Sequence, residues 1–182
     1  DRLFADPFFA DIIRGVSSVL HERDQQLMLT TARSEVEHER VGDYLSGFHV
    51  DGALLVSLHR DDPLSARLDE AGVPVVHGGR PHSPDQPAPY CVDIDNVGGA
   101  RAATRPLLDR GCRRVATITG PQDMNAGVER LRGYHEVMAA SGMEVDERLV
   151  VQGDFSVEGG AEAMRRILDT GPAPDGVFVA SD

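Results

Sequence analysis

The sequence predicts an α/β fold in which parallel strands alternate with helices. Short apolar runs such as GALLV at Gly52–Val56, VATIT at Val115–Thr119 and GVFVA at Gly176–Ala180 have the look of strands covered by helices on both sides. Between them lie stretches with apolar residues three and four apart, the helical period. Helix starts carry Asp-Pro pairs or Ser and Asp caps, and helix ends carry glycine, as the two ends of a helix require. Strands alternating with helices of roughly 10–15 residues make βαβ units and a parallel sheet.

Taken in order, Asp6-Pro7 starts a helix with Phe9, Ile12, Ile13, Val16 and Leu20 on one face. Gln26–Thr31 is a short strand. Ser34 and Glu37 form a capping box on a helix with Val41, Tyr44, Leu45 and Phe48 inside. Gly52–Val56 is a buried strand. Asp62-Pro63 opens a helix with Leu64 and Leu68 that stops at Gly72. Val73–His77 is a strand, the prolines at 81, 84, 87 and 89 make a stiff loop, and Tyr90–Ile94 is a strand. Asp95 starts a helix with Ala100, Ala103, Leu107 and Leu108 inward and Gly111 at its end. Pro106 inside it should kink or split it. Val115–Thr119 is followed by a helix over about residues 126–141. Leu149–Gln152, a Ser156-capped helix with Ala163, Met164, Ile167 and Leu168, and Gly176–Ala180 complete the chain. A change of character near residues 94–96 divides it into a first unit, 1–94, and a second, 95–182.

Composition excludes several functions. At 182 residues the chain fits one large domain or two small ones. Hydrophobic residues are 41% and charged ones 26%, ordinary values for a globular protein. The net charge of −12 argues against this segment gripping nucleic acid, which calls for a basic face. All 18 basic residues are arginine, so no lysine is present to form a Schiff base or a phosphate-loop motif. No G-x-S-x-G elbow occurs, and the seven histidines make no H-x-x-x-H or H-E-x-x-H pair; they read as surface residues. No cofactor, metal or enzymatic role is expected. Cys91 and Cys112 could pair, but two free, mostly buried thiols in a reducing compartment is the preferred reading. No apolar run approaches the ~20 residues of a membrane span. No signal peptide is visible, and the start at Asp1 without Met suggests a missing upstream segment.

One stretch carries a binding expectation. In Val115–Tyr134 a strand is followed by a Gly-Pro loop and a helix holding Arg130. In parallel sheets the loop after a strand's carboxyl end lines the ligand crevice. An arginine there offers a polar ligand several donors in fixed geometry.

Seven motifs add a resemblance: PFFADIIRG at Pro7–Gly15, VDGALLV at Val50–Val56, GVPVVHGGRP at Gly72–Pro81, VDIDNVGGARAAT at Val92–Thr104, RRVATITGP at Arg113–Pro121, ERLRGY at Glu129–Tyr134 and GDFSVEGG at Gly153–Gly160. In this order and spacing the chain resembles the LacI/GalR family of bacterial transcription regulators. What it matches is the effector-binding core, which has the fold of type I periplasmic sugar-binding proteins: two Rossmann-like subdomains with a ligand cleft between them. The resemblance implies a helix-turn-helix headpiece and hinge helix upstream. It also implies a first strand before Asp1 and the rest of the second subdomain beyond Asp182, so that the chain is a fragment.

The resemblance also implies ligand-binding residues. Phe8 and Phe9 match an aromatic pair at the mouth of the first helix, although Phe9 also fits the core stripe. Arg130 matches the arginine of R-L-x-G-[YFW]; the alternative is a structural ion pair with a carboxylate. Arg132 lies about 200° further round the helix and points away, while Gly133 and Tyr134 read as packing residues. Phe155 matches the aromatic of a G-D-[FW] loop, with a core role as alternative. Met124 lies at a variable cleft position. Ser181 stands where relatives commonly have Asn, and Gly79 where many have Asp, so two polar contacts differ. Arg80 either meets ligand or braces the proline loop.

The implied function is the effector-sensing core of a cytoplasmic, dimeric LacI-type regulator. A sugar or sugar derivative closes the two subdomains and changes operator affinity through the headpiece, with no membrane involvement. The alternative is a periplasmic or lipid-anchored sugar-binding protein of a transporter.

Overall fold

The computed structural model describes residues 7–32, 34–47, 49–57, 59–60, 62–81 and 90–181. Among these, two three-stranded parallel sheets are each packed with helices.

The first sheet orders β1 (Ala53–Val56), β2 (Val75–Gly78) and β3 (Cys91–Val92) side by side. Leu55 sits opposite His77 and Gly78 opposite Val92. Helices α2 (Glu35–Ser46) and α3 (Leu64–Glu70) accompany it. Leu45, Leu55, Leu64, Leu68, Val73 and Val75 form the core, with Val41 and Val50 against it. Helix α1 (Pro7–His21) precedes them; Phe9, Ile12, Ile13, Val16 and Leu20 are its half-buried residues, the stripe that helical period picks out.

The second sheet has β4 (Val115–Thr119) in the centre, between β5 (Val150–Gln152) and β6 (Gly176–Val179). All five residues of β4 are buried, because helices cover both faces. On one face, helix α6 (Val157–Leu168) packs Ala163 and Ile167 on Ala116 and Ile118. On the other, α4 (Asn96–Asp109) and α5 (Asn125–Ala140) pack Ala100, Tyr134 and Met138 on Val115 and Phe178. This split follows the strand period of two. Burying one large aliphatic or aromatic side chain in this way contributes about 1.5–3 kcal/mol.

The caps form as expected. The Ser34 hydroxyl accepts from Glu37 N, Asp95 from Gly98 N and Ser156 from Gly159 N. Helices α4 and α5 are each followed, one residue past the cap, by a glycine at positive φ, Gly111 at +93° and Gly142 at +66°, a region open to a residue without Cβ.

Several expectations need correction. Gln26–Thr31 pairs with no strand among the described residues, and Leu27, Met28 and Leu29 are exposed. The third strand is only two residues long, because Asp93 and Asp95 turn their carboxylates to main-chain N–H groups beyond it. In β1 only Leu55 is buried and Leu54 is exposed, so one face of this strand is open. Tyr44 is exposed and stacks on the His49 ring at 4.8 Å. Ala103 is exposed, and Thr104, four residues on from the buried Ala100, is the residue buried at that turn of α4. Leu168 is exposed at the last turn of α6. Helix α4 runs through Pro106 and ends one turn later, so the proline removes one bond near the end of a helix. Cys91 is exposed, not buried, and both cysteines are free. His77 is buried, not at the surface: its Nε2 accepts from Ser65 Oγ at 2.8 Å and its Nδ1 donates to the Tyr90 carbonyl at 3.4 Å. Asp6, Phe48, the prolines at 84, 87 and 89, and Asp182 lie outside the described residues.

Candidate ligand site

The site is built where the second sheet ends. The β4–α5 loop leaves the carboxyl end of β4 at Gly120-Pro121. It is held tightly: a Cβ on Gly127 would run into the Pro121 carbonyl. Helix α5 then starts at Asn125 and brings Arg130, on its second turn, over the ends of the strands.

Arg130 is half-buried and held by its neighbours. Its Nε donates to Asn96 Oδ1 at 2.9 Å, and its Nη1 donates to the Ala180 carbonyl at 2.6 Å. The guanidinium carbon lies 5.5 Å from the centre of the Phe155 ring, within the range of a cation–π contact. A planar cation held this way is preorganised.

Phe155 adopts φ +62°, left-handed backbone that costs a residue with a Cβ of order 1 kcal/mol. That conformation delivers the ring between Arg130 and the Gly120 loop, where a Cβ on Gly120 would strike it. The following Ser156 is fixed through its Oγ and N, both donating to Asp154 Oδ1.

A cavity of about 350 Å³ opens beside this arrangement, lined by Asp95, Asn96, Gly99, Arg130, Phe178 and Ser181 among others. Its size is that of a small-ligand pocket.

Of the sequence-predicted residues, Arg130 and Ser181 line this cavity and Phe155 packs on Arg130. Met124 is half-buried in extended backbone just ahead of α5 and is not in the lining. Phe8 and Phe9 stand on α1 and pack edge to face at 5.2 Å; Phe8 is 53% exposed, and neither lines this cavity. Arg132 faces elsewhere, toward Glu129 and Glu136. Gly133 and Tyr134 are buried packing residues. Arg80 offers its main-chain N–H to Asp93 Oδ2 at 3.2 Å.

Sequence reasoning missed Asn96 and the Ala180 carbonyl. Asn96 was visible only as part of a polar run at a helix start, and a main-chain acceptor leaves no side-chain signal. It also missed a contact between the two sheets' loops. His59 Nδ1 donates to Asp123 Oδ2 at 2.7 Å, Arg60 N to the Asp123 carbonyl at 2.8 Å, and Arg60 Nη2 to the Gln122 carbonyl at 3.3 Å. The hydrogen bond from His59 holds the Asp123 carboxyl below the usual range. No group of His, Cys, Asp and Glu suited to a metal occurs among the described residues.

Residues 2–182 match the family of periplasmic binding proteins and sugar-binding domains of the LacI family. The chain belongs to this family. Among curated LacI-type relatives, the regulator CelR of Thermobifida fusca is 59% identical over 182 residues, all of this chain and 53% of CelR. The repressor CytR of Escherichia coli K12 is 30% identical, over 97% of this chain and 52% of CytR. The chain therefore spans about half the length of these relatives. Among solved structures, a CelR–cellobiose complex superposes with a TM-score of 0.94 at 58% identity, over 98% of this chain and 54% of that one. A transcriptional regulator of LacI type from Bacillus cereus superposes at 0.90 with 26% identity, over 98% and 63%.

Proposed function

We propose that this chain is the effector-binding region of a LacI-type transcriptional regulator, that Arg130 and Phe155 contact a sugar, and that the sugar is a glucose disaccharide of the cellobiose kind. The observation that carries the proposal is Arg130 in the lining of a cavity with the Phe155 ring packed on its guanidinium, in a chain 58% identical to a regulator solved with cellobiose. The guanidinium supplies N–H donors for hydroxyl oxygens, and an aromatic face suits the C–H surface of a pyranose. Phe8, Phe9, Met124 and Ser181 complete the proposed contacts.

The proposed units, residues 1–94 and 95–182, close on the sugar, and closure alters how a dimer presents its DNA-binding parts to an operator. Such a regulator works in the cytoplasm, binds no cofactor and makes no covalent bond to its ligand. The regulators CelR and CytR among the relatives favour this reading over a transporter's solute carrier.

Calorimetry of the complete regulator against cellobiose, maltose, lactose and nucleosides tests the ligand. A gel-shift titration with operator DNA, with and without cellobiose, tests the response. Saturable cellobiose binding and an altered shift are expected. Binding to none of these compounds would defeat the proposal.

A further inference from the structure

We propose that Asn96 is the positioning residue for the Arg130 guanidinium, with Asp93 as its anchor; the inference rests on the sugar-contact role proposed for Arg130. Asn96 is 4% exposed, so its carboxamide must satisfy itself inside the protein. Its Nδ2 donates to Asp93 Oδ1 at 3.2 Å and to the Ile94 carbonyl at 3.3 Å, and its Oδ1 accepts from Arg130 Nε at 2.9 Å.

These partners allow one orientation of the amide. Flipped, it would set its oxygen against two acceptors and its NH2 against the Arg130 donor. The oxygen is therefore locked toward Arg130. With Nη1 held by the Ala180 carbonyl, two anchor points fix the guanidinium plane. A hydrocarbon side chain in place of Asn96 would leave the Nε–H without this acceptor.

Asp93 is itself held. Its Oδ1 also accepts from Ile94 N at 2.8 Å and its Oδ2 from Arg80 N at 3.2 Å. A continuous chain of bonds thus runs from the Arg80 main chain, just past β2, through Asp93, Asn96 and Arg130 to Ala180 at the end of β6. It passes through the segment joining the two sheets. The position of the binding arginine is tied to that segment and not to α5 alone.

The test uses the complete regulator. The first measurement, without ligand, is the rate at which the Arg130 Nε–Hε proton exchanges with water, read by 15N NMR with the signal identified by its loss in Arg130→Lys. Slow exchange is expected in the wild type, fast exchange in Asn96→Ala. Fast exchange in the wild type, or slow exchange in Asn96→Ala, overturns the proposal.

The second measurement is cellobiose affinity. Asn96→Ala should weaken it about tenfold, the scale of one lost hydrogen bond to a charged group. Unchanged affinity in Asn96→Ala, alongside abolished binding in Arg130→Ala, also overturns it. If Arg130→Ala binds cellobiose like the wild type, the sugar-contact role is what fails, and proton exchange alone then decides whether Asn96 holds Arg130.

Discussion

Gly133 on α5 faces the main chain of Val97 on α4 so closely that a Cβ would lie 2.5 Å from the Val97 carbonyl oxygen and 2.7 Å from Ala100 Cβ. Two helices touch here through backbone, and neither neighbour is the movable end of a long side chain. Gly133→Ala should therefore force α4 and α5 apart and lower stability by roughly 1–3 kcal/mol, as overpacking does. Urea unfolding followed by circular dichroism measures this; a midpoint equal to that of the wild type contradicts it.

One residue along, Tyr134 is fully buried and its hydroxyl donates to the Val115 carbonyl at 2.9 Å. Tyr134→Phe should cost about 1 kcal/mol, seen as a lower thermal midpoint.

Burial, with Glu147 and Asp146 nearby, pushes the Tyr134 phenol up to about 12 from 10.0. The folded form prefers the neutral phenol. Its contribution is full below pH 10 and is lost as pH rises from 10 toward 12, when the unfolded chain ionises first. The ultraviolet phenolate signal of Tyr134 should appear only near pH 12 in the folded protein. Tyr134→Phe should remove that late component and flatten the alkaline loss of stability.

Acid acts on the opposite sign. The Arg148 side chain, followed by its main-chain N–H and the Arg114 guanidinium, holds the Asp146 carboxyl well below its usual range. The Arg113 and Arg114 main-chain N–H groups, each 2.8 Å away, lower Asp175. Depressed carboxylates contribute above their ordinary pKa of 3.8 and lose that contribution as pH falls through the folded value. Thermal midpoints should drop below about pH 4, and Asp175→Asn should blunt the drop. An equally steep acid limb in Asp175→Asn counts against its share.

Arg130→Ala should abolish cellobiose binding in calorimetry. It should also lower the thermal midpoint, because Asn96 and the Ala180 carbonyl both lose a donor. Full affinity in this variant refutes the ligand role.

The opening strand of this region, Val115–Thr119, was legible to the residue, because burial on both faces leaves an apolar run that helices on either side demand. Arg130 was legible from its place after a Gly-Pro loop. Its partners were not: one is a main-chain oxygen, and Asn96 at a helix start looks like any polar residue there. The strand expected at Gln26–Thr31 failed for a related reason. An apolar run shows what could pair, but pairing needs a neighbour that the run itself does not contain. Phe155 could be named as an aromatic, but its left-handed backbone could not, since φ +62° is imposed by the packing around it.

The bridge from His59 to Asp123 joins two side chains that are each more than half exposed, at 56% and 53%. Solvent-screened pairs of this kind contribute between zero and about 1 kcal/mol. At that strength the bridge by itself would bias the proposed open and closed arrangements by about fivefold at most. A ligand preferring the joined arrangement by only tenfold would then outweigh it. Under the proposed closure, the balance between the two arrangements would be set by the sugar, with this bridge a minor bias.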